Sequence, residues 1–204
     1  LLASWLADLS ADQYDDGVVP FVIPDALPMR SLPTACWGDA AVIVPWVLYK
    51  RYGDRSILET QYDSMCRWVE HVAELAGESR LWDAGFQFGD WLDPSAPPDR
   101  PQEARTDTHL IATACLARSA DVLSRIARVL GRSEDDARYE RMAREVREAF
   151  AREYVTPAGR LAADTQTAYA LALRYALLST DAQRQHAAER LARLAAYWRG
   201  AGGV

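Results

Sequence analysis

The stretch Leu58–Val72, LETQYDSMCRWVEHV, decides the fold class. Its apolar positions Leu58, Tyr62, Met65, Val69 and Val72 are separated by steps of four and three residues, which lay one continuous stripe along an α-helix. The same spacing recurs downstream. Ile111, Cys115, Val122, Ile126 and Val129 share a face of a segment from about Thr108 to Leu130, and Gly131 follows as a helix stop. Ser133 is expected to cap the next helix, which buries Tyr139, Met142, Val146 and Phe150 and turns alternating Arg and Glu or Asp residues to solvent. A further helix is expected over Thr167–Leu178. A last one should run from the Thr180-x-x-Gln183 capping box through Ala187, Leu191, Leu194 and Trp198. Upstream, Leu1 already lies in a helical pattern, and Asp39 is placed to cap a helix carrying Ala41, Val44, Trp46 and Val47. Pro45 should either open that helix or kink it. No strand alternation and no repeat of fixed period is visible. The expected fold is all-α, built of antiparallel helix hairpins joined by a mixture of short turns and long loops.

Composition excludes several function classes. The 204 residues are half hydrophobic and a quarter charged, with a net charge of −6, as in ordinary globular proteins. No apolar run reaches the roughly 18–20 residues of a membrane-spanning helix. Without a basic cluster, nucleic acid is a poor partner, because its binding rests on counterion release by grouped Lys and Arg. The acidity is uneven: residues 1–105 carry 17 acids and 8 bases, residues 106–204 carry 12 and 15. Six of the seven tryptophans, Trp5, Trp37, Trp46, Trp68, Trp82 and Trp91, lie in that acidic half. Cys36, Cys66 and Cys115 are odd in number and far apart in sequence, so they are expected to be buried free thiols, which fits a cytoplasmic protein.

Two loops stand out, Asp15–Thr34 and Glu78–Thr106, rich in Pro, Gly, aromatics and acids; long ordered loops in compact domains are usually functional. Three short constellations border them. In Cys36-Trp37-Gly38-Asp39-Ala40, Asp39 either caps a helix or stands beside Trp37 in an open pocket. In the run from Trp82 to Pro94, glycines interleave with aromatics and acids. A sugar presents an apolar C–H face and a rim of hydroxyls, so its pockets combine aromatic platforms with carboxylate or amide acceptors, and Asp90-Trp91 supplies both. The same aromatics could instead plug the helical layer, with Asp93-Pro94 making a turn. In Thr106-Asp107-Thr108-His109, Thr106 or Asp107 caps a helix, and His109 is either a pocket residue or an ordinary helix-terminal histidine. His71 and His186 read as structural. No nucleophile elbow, phosphate loop or metal-binding histidine pair is present, so neither cofactor nor metal is expected.

Four segments in series resemble the catalytic domain of the bacterial α-L-rhamnosidase family of glycoside hydrolases: Pro33–Trp46 around Trp37-Gly38-Asp39-Ala40, Gly89-Asp90-Trp91-Leu92-Asp93-Pro94, Thr106–Ala114, and Asp164–Leu171. The resemblance runs over essentially the whole chain and implies part of an (α/α)6 barrel, with 1–204 a single partial domain truncated at both ends. It further implies removal of terminal α-L-rhamnose with inversion of configuration. One carboxylic acid would then protonate the leaving oxygen while a second activates water, the two standing roughly 6.5–9.5 Å apart. In that family the acid glutamate lies in a motif upstream of the matched region and the base glutamate downstream, so no catalytic residue is assigned here and the chain alone is expected to be inactive. By the same resemblance Trp37 and Trp91 line the rhamnose subsite, Asp39 and Asp90 accept hydroxyl hydrogen bonds or orient neighbours, and Asp107 and His109 lie behind them. Two other readings stay open: an (α/α)6 enzyme of glucoamylase or trehalase type, and a non-catalytic helical carbohydrate-binding module.

Overall fold

A computed structural model describes residues 1–91, 93–100 and 103–201, with side chains as far as residue 196. Leu92, the Trp198 side chain and the glycine-rich end from Gly202 therefore lie outside the described residues. Seven α-helices are described: α1 (Leu2–Asp12), α2 (Ala40–Tyr52), α3 (Ser56–Ala76), α4 (Thr108–Leu130), α5 (Ser133–Tyr154), α6 (Gln166–Arg174) and α7 (Asp181–Ala201). Among these residues the one strand-like feature is an isolated antiparallel bridge, Val155 to Leu161. None of the helices is long and apolar enough to cross a membrane.

The helices pair as α2 with α3, α4 with α5, and α6 with α7, while α4 also touches α2, α3 and α6. α4 sits between α2 and α6, each of the three backed by its own hairpin partner; Arg55 donates to the Leu130 carbonyl, so the start of α3 lies beside the end of α4, and the Thr106 and Thr165 hydroxyls join the starts of α4 and α6. This is the arrangement of successive inner helices in an (α/α)6 barrel. Burial agrees: α4 buries 15 of its 23 residues, whereas α5 buries only Tyr139, Ala143, Val146, Ala149 and Phe150. Alanines at 112, 114, 117 and 120 let neighbours close on α4 from several sides. The stripe Leu58, Tyr62, Met65, Val69 and Val72 is buried throughout, as its spacing predicts.

Four boundaries sharpen or correct the expectations. Gly131, at φ 75°, ends α4 as predicted, and its N–H reaches the Ala127 and Arg128 carbonyls. Ser133 does not cap α5. The connection is so short that Arg132 occupies the cap position and Ser133 is already helical, and Glu134, Asp135 and Asp136 supply the negative charge that the helix start favours. The helix expected over Thr167–Leu178 stops at Arg174, because Ala176 turns to φ 57° and carries Leu177 and Leu178 down into the core. The capping box forms as expected: Gln183 N–H donates to Thr180 Oγ1 at 3.1 Å and Thr180 N–H to Gln183 Oε1 at 3.3 Å. Pro45 is buried well inside α2, which opens at Ala40. Of the stripe assigned to that helix, Ala41 is buried but Val47 is exposed.

Several carboxylates on this scaffold are held below their ordinary range. The Arg128 guanidinium does so for Asp136, the Arg190 guanidinium for Asp164, and the hydroxyl and N–H of Ser56 for Asp54. A group whose folded pKa is depressed contributes stability that is present above its unfolded value of 3.8 and is lost as pH falls through the folded value. The thermal midpoint is accordingly expected to drop between about pH 5 and pH 3, within the range where carboxylates titrate. A midpoint that stays level over that interval would contradict these assignments.

Candidate functional site

The segments leading into α4 and α6 meet directly, and the segment leading into α2 reaches the same region through Ala35 and Trp37. Asp107 caps α4, accepting the N–H groups of His109 and Leu110 at 2.9 and 2.8 Å. Thr165 caps α6 through the Ala168 N–H. The two starts are joined directly, with the Thr106 and Thr165 hydroxyls 2.7 Å apart.

Asp90 is fixed at this junction. Its Oδ2 accepts the Thr167 hydroxyl at 2.6 Å and the Thr106 hydroxyl at 3.4 Å, and Oδ1 is left free of both bonds. Gly89 makes the approach possible: it sits at φ 67°, and a Cβ there would stand 2.6 Å from Thr108 Cγ2. Asp90 also borders a cavity of about 360 Å³ lined by Asp93, Arg105, Asp164, Thr165 and Thr167. A larger groove of about 830 Å³ runs between α3 and α5 among paired Glu and Arg side chains and shares no residue with this region.

Beside Asp90 lies an aromatic cluster whose hub is Phe88. Its ring centroid is 4.4 Å from Trp37, 4.9 Å from Phe86, and 5.1 Å from both Phe21 and Trp91. The contacts with Phe21, Phe86 and Trp91 are edge-to-face, the geometry that ring quadrupoles favour. Phe86 and Trp91 remain 44% and 41% exposed, so the cluster offers apolar surface to solvent at the point where Asp90 offers a carboxylate. Trp82, from the same run, is buried against Trp68 in the core. The run thus buries Trp82 in the core and leaves Phe86 and Trp91 exposed.

Asp39 takes a different position. It stands at the start of α2 without a side-chain capping bond, is 6% exposed, and turns inward. Its Oδ1 accepts Ser119 Oγ at 2.6 Å and Trp68 Nε1 at 3.1 Å, while Oδ2 accepts the Cys36 N–H at 2.7 Å. Of the two roles the resemblance implies for this residue, these bonds support the orienting one. Gly38 rests directly on Trp68: a Cβ there would stand 2.2–2.5 Å from the indole ring atoms. Trp37, half-buried, is therefore presented from a segment braced underneath.

Asp107 and His109 stand at the rim of α4. The His109 ring lies 3.5 Å from the Gly85 carbonyl, the outer limit of a hydrogen bond. Three further residues shape the region without having been singled out from the sequence. Phe88 is the hub, Thr167 holds Asp90, and Gln87 accepts the Ala35 N–H at 2.8 Å, tying the loop before α4 to the segment that carries Trp37. The alternation Phe86, Phe88 in Phe86-Gln87-Phe88 was the available signal, since a loop with that pattern turns successive side chains opposite ways. Among the described residues no cluster of His, Cys, Asp and Glu is arranged to hold a metal ion.

Residues 1–199 match the family model described as the bacterial alpha-L-rhamnosidase 6 hairpin glycosidase domain. An alpha-L-rhamnosidase of Formosa agariphila is 37% identical over 191 residues, 93% of this chain and 20% of that protein. One of Streptomyces avermitilis is 39% identical over 193 residues, 95% of this chain and 17% of its own length. The chain thus spans about a fifth of the curated relatives it matches. Among solved structures, native α-L-rhamnosidase from Aspergillus terreus superposes with a TM-score of 0.89 at 37% identity, covering 93% of this chain and 22% of that one. The Streptomyces avermitilis enzyme, solved with L-rhamnose, gives 0.83 at 38% identity over 95% and 17%.

Proposed function

Since the chain belongs to the bacterial α-L-rhamnosidase six-hairpin glycosidase family, we propose that it is the sugar-holding part of a hydrolase that removes terminal α-L-rhamnose with inversion. The observation that carries this reading is the juxtaposition of Asp90 and Trp91: a carboxylate with one oxygen anchored by threonine hydroxyls, next to an exposed indole in a five-ring cluster. Rhamnose has a C–H face and a methyl group for the rings, and hydroxyls that donate to the free carboxylate oxygen. Trp37 extends the ring surface from the other loop. Asp39 acts from beneath, holding the Trp37 segment, and Asp107 and His109 support the rim.

In this proposal the proton-transfer carboxylates are not among the residues named. An inverting pair would flank the sugar held here, one protonating the leaving oxygen and the other drawing a proton from the attacking water. The chain by itself is then expected to release no rhamnose from p-nitrophenyl α-L-rhamnoside. In the full-length protein, Trp91→Ala and Asp90→Asn should each lower kcat/KM by about tenfold or more, the scale of a lost charged hydrogen bond or aromatic contact. NMR of the first sugar released should show the inverted anomer. Unchanged turnover in both variants would remove the site assignment, and retained anomeric configuration would remove the inverting mechanism.

A further inference from the structure

We propose that Cys36 and Cys115 form a dithiol site that a disulfide oxidant closes into an intramolecular disulfide, fastening the Trp37 segment to α4. The two residues are 79 positions apart in sequence, yet their sulfurs are 3.4 Å apart. This corrects the expectation of three separate buried thiols: Cys36 is exposed, Cys66 half-buried and Cys115 buried. The pair therefore has an entry point and a resolving partner. Reaching a disulfide sulfur separation of about 2.05 Å requires the sulfurs to close by about 1.4 Å.

The surroundings hold the pair in register. Cys36 sits at φ 68°, a conformation that costs a non-glycine residue free energy, and the Asp39 carboxylate holds it there through the Cys36 N–H. The same carboxylate accepts the hydroxyl of Ser119, one helical turn beyond Cys115 on the same face of α4. One side chain thus braces both halves of the dithiol. Gly38, pressed on Trp68, prevents the segment from sinking further.

With oxidised glutathione as the oxidant, the Cys36 thiolate attacks one of its sulfurs, forms a mixed disulfide and expels one glutathione thiolate. The Cys115 thiolate then attacks the Cys36 sulfur and expels the second. The protein pair gives up two electrons and two protons, and the glutathione disulfide is reduced to two thiols. Cys115 shares a hydrogen bond with Cys36, is buried and lies near Asp39, all of which hold its thiol well above the usual range. Cys66, between Tyr62 and Tyr139 and pushed up to about 11 chiefly by burial, is the internal control.

The test is independent of sugar binding. The protein is incubated in native buffer with oxidised glutathione, digested without reductant and mapped by mass spectrometry. The expected product is a bridged peptide pair containing Cys36 and Cys115, lighter by two hydrogens than the free pair and lost on reduction. Cys115→Ser should trap Cys36 as a stable glutathione adduct, and Cys66→Ser should leave the bridge unchanged. Recovery of wild-type Cys36 only as free thiol or glutathione adduct, or a bridge that involves Cys66, would overturn the proposal.

Discussion

Trp68→Ala is expected to lower the unfolding free energy by about 3–5 kcal/mol, the range for emptying a buried aromatic site. The indole is fully buried, packs against Trp82 and forms the floor beneath Gly38. Its removal takes away apolar contact, leaves a cavity between α3 and the Trp37 segment, and strips one donor from the buried Asp39 carboxylate. Trp68→Phe keeps one ring in the site but loses both the N–H and the part of the indole that lies under Gly38, so a smaller loss than for the alanine variant is expected. Urea denaturation of both variants beside the wild type measures the difference. A loss below about 1 kcal/mol for the alanine variant would mean that the site collapses freely, against the rigid packing described for this floor.

Asp39→Ala should destabilise by about 2–6 kcal/mol, because it leaves three donors without their acceptor, two of them on buried side chains, at about 1–3 kcal/mol each where water cannot reach them. Asp39→Asn keeps the volume and one carbonyl acceptor, and should fall between the alanine variant and the wild type. If Asp39 positions Trp37, the asparagine variant of the full-length protein should raise KM for p-nitrophenyl α-L-rhamnoside more than it lowers kcat. An asparagine variant as stable as wild type, with unchanged KM, would remove that role.

What was legible in the sequence follows from physical range. The stripes of α3, α4 and α5 depend on neighbours three and four residues away, so periodicity exposed them, and local chemistry also marked Gly131, Asp107 and the Thr180–Gln183 box. The end of α6 was not legible, because Leu177 and Leu178 continue an apolar pattern while leaving the helix to fill the core. At the site, Trp91 and Asp90 stood out as a dipeptide. The partners of Asp39 come from Trp68 and Ser119, 29 and 80 positions away, and the meeting of Cys36 with Cys115 is equally non-local. Such pairs become visible only once α2, α3 and α4 are packed.

The loop between α3 and α4 is fastened at intervals along its length. Gln87 bonds to Ala35, Asp90 to Thr106 and Thr167, and Asp93 to Ser95 and to the Arg105 N–H. At the fastened residues conformational entropy was therefore surrendered when the chain folded, so a sugar bound as proposed at Trp91 and Asp90 would not have to order the Asp90 carboxylate. Binding at such a surface should be limited by how fast the ligand arrives and sheds water rather than by how often the loop visits the right shape.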